Sequence, residues 1–577
     1  MSKGPLYVGI DVGTGSVRAG LYTASGTLLG QSTKETKTWR SESDHRVFEQ
    51  STTDIWDAIC HCVKESLASA GASKDDVAGI GFDATCSLAV TDDEGEPICV
   101  TEGKGCGESG ERNIVLWADH RAEEEAELIN STGSIVLDYV GGTMSLEMEI
   151  PKILWLKKHM SPQNFHRCQF FDLPDYLTYR ATNSTTRSSC SLVCKCSFLP
   201  QSGWQPDFFE KIGLGELVEG RYKQIGEGEV LTAGKPVGKG LVDTAAEQLG
   251  LNVGTPVGSA VIDAYAGWIG TIGARYRSPG SEDLSPPTKL EESRHRLAAV
   301  AGTSTCHLVQ SPNAVSVTGV WGPYRDAIFP GWWMNEGGQS STGQLIDFMM
   351  KTHPAYQKLL QTSKAANISP FDWLENELKR QKEEKNVASL TELTKDLHIY
   401  PDLHGNRSPI ADPKMRGAIM GLALDDNLSD LAKKINVTLE AIALQTWHIV
   451  DEMNSRGHSI TEIYMSGGQA KNKPLMQLFA DVCSVPVILP FSHSTAVVLG
   501  SAMLGRYAAE LTGAKAGELS KERLWEIMVE MTPPGTVVTP SASQKENRLL
   551  GAKYKIFRES IDIQKRWREE MERAAQE

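Results

Sequence analysis

The sequence predicts an α/β protein of two related domains facing one another, and three observations carry that reading. At 577 residues the chain is too long for one ordinary core. Residues 6–22, LYVGIDVGTGSVRAGLY, read as strand, Gly-containing turn and strand. The stretch LAAVAGTSTCHLV at 297–309 repeats that theme, a weak echo that suggests a duplicated architecture.

Along the chain, LYVGIDV is the first strand and VRAGLY the second; a Ser25–Gly26 turn leads to a third through Leu28 and Leu29. Ile55, Ile59, Val63 and Leu67 recur at helical spacing and predict a helix over 51–70. A strand in VAGIGFDATCSLAV follows, and an apolar run from Pro256 to Asp263 opens the second half. The polar, Pro-rich segment 277–296 reads as a surface loop inside that half. ITEIYM and PLMQLFADV predict a strand and a helix on either side of a Gly-Gly loop. Beyond about 545 the chain is charged, with Tyr554, Phe557, Ile561 and Trp567 at near-helical steps, so a terminal helix should pack back on the body. The expected division is a domain at 1–262 with the first turn, a domain at 263–510 with the second, and a helical extension at 511–577.

Composition narrows the partners. A formal charge of -15 argues against nucleic acid or an anionic membrane, both of which need a basic face. No stretch is long and apolar enough to span a bilayer, and MSKGPLYVGI lacks a basic and then apolar signal region. The eleven cysteines, densest at Cys190, Cys194 and Cys196 with Cys60 and Cys62 elsewhere, lack paired C-x-x-C halves and read as reduced thiols. A cytoplasmic enzyme or ATPase is expected.

Chemistry begins at the first turn. Gly13 and Gly15 let backbone N–H groups approach phosphate oxygens, while Thr14 and Ser16 add hydroxyl donors. Asp11, ending a strand beside the turn, is placed to hold a magnesium ion through water, and Arg18 to meet a phosphate. The turn is no Walker A loop, having no G-x-x-x-x-G-K-[ST]. Nor is it a dinucleotide fingerprint, because Arg18 takes the third glycine's place and a strand follows. Standing alone it is equally an ordinary hairpin turn.

It has company in Gly302-Thr303-Ser304 and in MSGGQAKNKPL at 465–475. Two such hairpins with a Gly-Gly loop ending a strand resemble the two-lobed actin, hexokinase and heat-shock-ATPase fold (ribonuclease H-like), with its active site in the interdomain cleft. Within it the chain resembles the FGGY carbohydrate kinases over nearly its whole length. The matching stretches are GIDVGTGSVRAG, GFDATCS, LWADHRA, DYVGGTMSLEMEIPKILWLKKH, FFDLPDYLTYRAT, CSLVCKCSF, VIDAYAG, AGTSTCH, GVWGPY, WWMNEGGQSSTGQLID, PDLHGNRSP and SGGQAKN. LPDYLTYRAT, GVWGPY and DLHGNRSP together look like the eukaryotic D-ribulokinase branch. Two places depart from the family pattern. Glu149 stands where a small residue or Pro is usual, and a lysine in GAIMGLALDDNLSDLAKKINVTLEAIAL replaces an alanine or serine.

The resemblance implies a sugar-binding domain first, a nucleotide-binding domain second, and ATP with Mg2+ as cofactors. A primary alcohol is a poor nucleophile at neutral pH, so a carboxylate must take its proton, and the resemblance puts Asp263 in that role, with Asp11 and Asp263 toward the metal. Lys195 and Glu336 correspond to residues that contact the sugar. Read alone, Lys195 is equally a surface point on a strand, and Glu336 a cap on the following helix. Asp83, Thr85 and Cys86 should line the sugar's other end, with Trp117 and Asp119 nearby. Gly302, Thr303 and Ser304 should meet the β- and γ-phosphates; Gln344, Gly467, Gly468, Gln469 and Asn472 should frame adenine and ribose. His307 and His448 read as core residues. The implied reaction moves the ATP γ-phosphate to the C5 hydroxyl of a ketopentose, with D-ribulose first and L-ribulose, xylulose or a pentitol as alternatives. An ATP-dependent binding protein, a sugar-independent ATPase and a silent sugar sensor are the readings of another class. The partners expected are the sugar and ATP. A homodimer is compatible with the resemblance, although no residue pattern fixes the oligomeric state.

Overall fold

The computed structural model describes residues 4–278, 280–491, 495–515 and 519–576. Its two main sheets repeat one plan. In the first, Leu6–Val12 is central, pairing antiparallel with Ser16–Thr23 and, beyond it, Leu28–Glu35. On its other side it pairs parallel with Val77–Ala84, which in turn takes Val261–Ile262. In the second, Arg296–Ala301 pairs antiparallel with Thr305–Ser311 and then Trp333–Gln339. Its parallel side carries Glu462–Ser466 and Val487–Pro490. The duplication suggested by two Gly-containing turns is therefore a duplication of topology.

The helix Thr52–Ala70 buries Ile55, Ile59, Val63 and Leu67. Ser51 caps it, accepting from the Asp54 N–H at 3.3 Å, and Gly71 ends it in the left-handed region at φ 57°. Two helices join the halves. Asp263–Ile272 follows the last strand of the first sheet, Ala496–Gly513 the corresponding strand of the second. They cross so closely that a Cβ on Gly270 would stand 1.9 Å from the Ala496 carbonyl oxygen, and one on Gly500 2.0 Å from that of Ala266. Glycine at both places is what allows the backbones to touch.

Three local expectations need correction. The tail expected to be helical carries a strand, Gly535–Val538, which enters the second sheet between Tyr276–Arg277 and Val487–Pro490. Four residues rich in glycine and β-branched side chains complete the ladder there. The terminal helix Gln544–Gln576 packs through Phe557 and Ile561, with Tyr554 stacked on Trp447 at 3.9 Å. Trp567, expected on that face, is 59% exposed, because the helix runs on past the body. The third concerns the alternative reading of Lys195 as a surface point on a strand: it ends a helix, Ser189–Lys195, and is buried. Of the segment 277–296, Arg277 ends a strand and Arg296 begins one; between them, residue 279 lying outside the described residues, the chain is loop with a closing 3-10 turn at Leu290–His295. Among the described residues no helix is long and apolar enough to cross a membrane.

Candidate active site

The first turn is held from one side and open on the other. Gly13 N–H donates to the Ser16 carbonyl at 3.0 Å, closing the turn. The Thr14 carbonyl accepts from Gln50 Nε2 at 2.7 Å, and Thr14 Oγ1 accepts from Trp117 Nε1 at 3.0 Å. A Cβ built on Gly15 meets nothing within 4 Å, so the tip faces open space. Trp117 thus supports the turn, while Asp119, expected near the sugar, is buried against Arg121 and accepts from the Phe48 N–H at 2.7 Å.

Asp11 and Arg18 stand opposite one another across the first hairpin, Arg18 Nη2 lying 2.7 Å from Asp11 Oδ2. Arg18, expected on a phosphate, is therefore paired with the carboxylate expected to position the metal. Parallel register sets Asp83 beside Asp11 and Val261 beside Asp83, bringing Asp263 to the same strand ends. Burial, opposed by Arg18, raises the Asp11 carboxyl above its usual range. Burial and then the charge of Asp11 push Asp83 far above it. Asp83 is fully buried and hydrogen-bonded to Ser501 of the crossing helix. It was expected at the sugar; its Oδ2 makes the contact between sheet and helix, and its Oδ1 has no hydrogen-bond partner among the described residues.

Asp263 is the first residue of its helix and half-buried, with Oδ1 accepting from the Ala264 N–H at 2.7 Å. Burial, then Asp11, pushes its carboxyl up to about 7. That is a proton acceptor poised near neutral pH.

A second group of charges lies beside it. Lys195 and Glu336 are both buried, Nζ and Oε2 3.9 Å apart, and the Lys195 ammonium sits 4.2 Å from the centre of the Trp321 ring. Burial works against that ammonium, yet its pKa is raised, the groups around it, the carboxylates of Glu336 and Glu147 among them, outweighing burial. Glu336 lies on the strand Trp333–Gln339 rather than at a helix cap, and its Oε1 accepts from Arg407 Nη2 at 2.8 Å. Cys86, expected at the sugar's other end, is buried near Lys195, while Thr85 turns to Ser87, Oγ to Oγ at 3.2 Å, with its N–H on the Val12 carbonyl. Arg407, Trp321 and Glu147 were given no role from the sequence, although each lies in a stretch that carries the family resemblance. Charged residues inside PDLHGNRSP and SLEMEIP were the available signal.

The second turn is braced from within. Gly302 N–H donates to the Ser304 carbonyl at 2.8 Å, and the Thr303 carbonyl accepts from the N–H of Thr342 at 3.0 Å and of Gln344 at 3.3 Å. A Cβ on Gly302 meets nothing within 4 Å, so this tip too is open. Gln469 Nε2 donates to the Gly302 carbonyl at 2.6 Å and to Thr342 Oγ1 at 2.7 Å. Asn472 caps the helix Lys473–Cys483, its Oδ1 accepting from the Leu475 N–H at 3.2 Å. Of the residues expected to frame adenine and ribose, these two side chains are engaged within the protein, whereas Gln344 and Gly468 are exposed. Gly467 has φ 87°, and a Cβ there would stand 2.2 Å from the Ala301 carbonyl oxygen, so the loop lies against the turn.

The histidines expected in the core are there: His307 and His448 are buried, and burial drives both to about 3, so they are neutral. All eleven cysteines are free. Among the described residues no three of His, Cys, Asp and Glu gather as a metal cluster. Asp11 and Asp263 nevertheless suit an ion that keeps its waters and takes one or two carboxylates plus phosphate oxygens. Both carboxyls are raised by burial, so a cation beside them is favoured.

Two family models match the chain, the N-terminal domain of the FGGY family of carbohydrate kinases over residues 6–270 and its C-terminal domain over 297–509. The chain is 44% identical over 542 residues to a D-ribulokinase of Saccharomyces cerevisiae, covering 90% of this chain and 75% of that one. It is 41% identical over 562 residues to a human FGGY carbohydrate kinase domain-containing protein, covering 97% of each. Among solved structures, a xylulose kinase from Rhodospirillum rubrum superposes with a TM-score of 0.73 at 19% identity, covering 97% of this chain and 99% of that one. Plasmodium falciparum glycerol kinase with ADP superposes at 0.71 and 15% identity, covering 96% and 98%. These likenesses establish the two-lobed, actin-like ATPase fold.

Proposed function

Because this chain belongs to the FGGY family of carbohydrate kinases, and is a sugar kinase that uses ATP, we propose that it phosphorylates D-ribulose at the C5 hydroxyl. The observation that carries the mechanism is Asp263, a half-buried carboxyl at about 7 that lies with Asp11 at the strand ends and feels both Glu336 and Lys195. The C5 oxygen attacks the γ-phosphorus in line, its proton passes to Asp263, and the bond from phosphorus to the bridging oxygen of ADP breaks. Catalysis is otherwise alignment and charge cancellation.

Lys195, Glu336 and Cys86 form the sugar's polar wall in this reading. Gly13, Thr14, Gly15 and Ser16 of the first turn, with Gly302, Thr303 and Ser304 of the second, offer N–H and hydroxyl donors to phosphate. Gln344, Gly467 and Gly468 border the nucleoside, and Gln469 and Asn472 hold that border in shape. A magnesium ion bound by Asp11 and Asp263 would offset phosphate charge when present. On this assignment the sugar half is 1–262 and the nucleotide half 263–510, with 511–577 as support. A charge of -15 supports small-molecule partners over nucleic acid, and eleven free cysteines suit the reducing cytoplasm.

D-ribulose is favoured over L-ribulose, xylulose or a pentitol by the 44% identical relative named a D-ribulokinase. ADP release with D-ribulose, L-ribulose, D-xylulose, ribitol and glycerol tests this. A specificity constant highest for D-ribulose is expected; a higher one for another sugar corrects the substrate.

A further inference from the structure

We infer that Arg407 is a positioning residue that aims Glu336 at the sugar and, through Glu147, ties that aim to the approach of the two halves of the chain. The inference rests on the sugar-kinase reading of this site.

The guanidinium touches more charged and aromatic groups than any simple ion pair needs. Nη2 lies 2.8 Å from Glu336 Oε1 and 3.5 Å from Glu147 Oε2, and the guanidinium carbon lies 4.2 Å from the centre of the Trp321 ring. Nη1 is 3.6 Å from Cys306 Sγ. Glu147 precedes the helix Glu149–His159 in the first half, whereas Glu336, Trp321 and Arg407 belong to the second. The Lys195–Glu336 pair crosses in the same way. Trp321 therefore carries one cation from each half, Lys195 and Arg407, each 4.2 Å from its centre, and both share Glu336.

The contacts leave a specific remainder. Glu336 Oε2 and Arg407 Nε are buried and have no hydrogen-bond partner. One is an acceptor and the other a donor, and native proteins seldom leave such atoms unpaired without a use. A ligand hydroxyl entering the gap between Oε2 and Lys195 can satisfy the first, whereas Nε packs against Gly338. Fixing Oε1 on Arg407 keeps Oε2 from rotating onto Lys195, whose ammonium at 3.9 Å is beyond a direct hydrogen bond. Without the guanidinium, Glu336 and Lys195 would close on each other and neutralise the polar wall. The strand is shaped for this contact: a Cβ on Gly338 would stand 2.6 Å from Arg407 Cδ. A lysine could not serve two carboxylates and a ring at once, because it lacks the planar fork.

The test is steady-state kinetics of Arg407→Gln, Arg407→Lys, Glu147→Gln, Glu336→Gln and the Arg407→Gln/Glu336→Gln double variant, with whichever pentose the unmodified protein phosphorylates. Arg407→Gln should raise the sugar KM by about tenfold or more and leave the ATP KM within about twofold, as expected for loss of one charged substrate-aligning contact. Arg407→Lys should fall between it and the unmodified protein. Glu147→Gln should raise the sugar KM by about threefold without moving the ATP KM. The double variant should be no worse than Glu336→Gln alone, since Arg407 acts through Glu336. Should Arg407→Gln melt below the assay temperature, Arg407→Lys and Glu147→Gln carry the test. An unchanged sugar KM in these variants overturns the proposal, as does an ATP KM rising in step or an additive double variant. An unmodified protein that phosphorylates no pentose overturns the sugar-kinase reading as well, whereas an unchanged sugar KM in both Arg407→Gln and Glu147→Gln, with the unmodified protein active on a pentose, overturns this proposal alone.

Discussion

Lys195 and Glu336 come from opposite halves of the chain and face each other inside the protein with 3.9 Å between Nζ and Oε2. The gap exceeds a hydrogen bond, yet both charges are buried, so neither is relieved by water. On the proposed assignment a substrate hydroxyl, which donates and accepts, would complete what the two side chains leave open.

Glu336→Gln should therefore lower kcat/KM for the sugar by about 10- to 200-fold, the range for losing one or two polar contacts in a closed site. The ATP KM should stay within about twofold. Steady-state kinetics with each substrate varied in turn reads both numbers. An equal loss for both substrates would place Glu336 outside the sugar contacts.

If Asp263 is the base, as proposed, it sets the pH dependence. Its folded-state pKa is about 7, raised from an ordinary carboxylate value chiefly by burial and then by Asp11. A base must be unprotonated, so kcat/KM for the sugar should rise with pH through about 7 and fall about tenfold for each pH unit below it. Stability moves the other way. A raised folded pKa means that the folded chain holds the proton more tightly, so stability from this group is full below the unfolded value and is lost as pH rises through about 7. Asp263→Asn should therefore melt higher than the unmodified protein at pH 8, with the difference shrinking toward pH 5. Melting curves at both values decide it.

Gln469 should matter to ATP alone. Its amide ties the Gly302 carbonyl to Thr342 Oγ1, so Gln469→Ala frees the second turn. The ATP KM should rise by about five- to tenfold, consistent with losing two hydrogen bonds of about 0.5–1.5 kcal/mol each that shape the site, and the sugar KM should hold. Isothermal titration with ADP gives the same comparison without turnover.

The tail should matter to stability alone. Lys553 on the terminal helix is buried against Glu440 and donates to the Thr394 carbonyl at 2.9 Å. Lys553→Met leaves Glu440 buried without its counter-charge, a change of about 3–5 kcal/mol. Chemical denaturation should show that loss while the sugar KM remains unchanged.

Much of this site is written locally in the chain. The two Gly-containing turns, the strand Leu6–Val12 that carries Asp11 and the helix Thr52–Ala70 follow from periodicity and turn chemistry, whereas the helix that opens at Asp263 was not read from the apolar run before it. Lys195 and Glu336 were named from family resemblance, and their facing each other depends on the fold. That Asp83 meets Ser501 through Oδ2 was not legible, because only the position of the helix Ala496–Gly513 decides it. Gln469 and Asn472 look from sequence like ligand-facing amides, yet a turn and a helix cap use them first. Arg407 went unassigned because its partners lie 71 and 260 residues away, a relationship no local pattern encodes. The strand Gly535–Val538 escaped for a similar reason: four residues carry too little periodicity, and the sheet they complete is distant in sequence.

The most direct test is ADP release from Mg-ATP with D-ribulose, measured beside the Asp263→Asn protein. Sugar-dependent release by the unmodified protein, abolished in a variant that still binds ADP, is the predicted result. Sugar-dependent turnover retained by Asp263→Asn, or ADP release that ignores the sugar in the unmodified protein, would contradict the account.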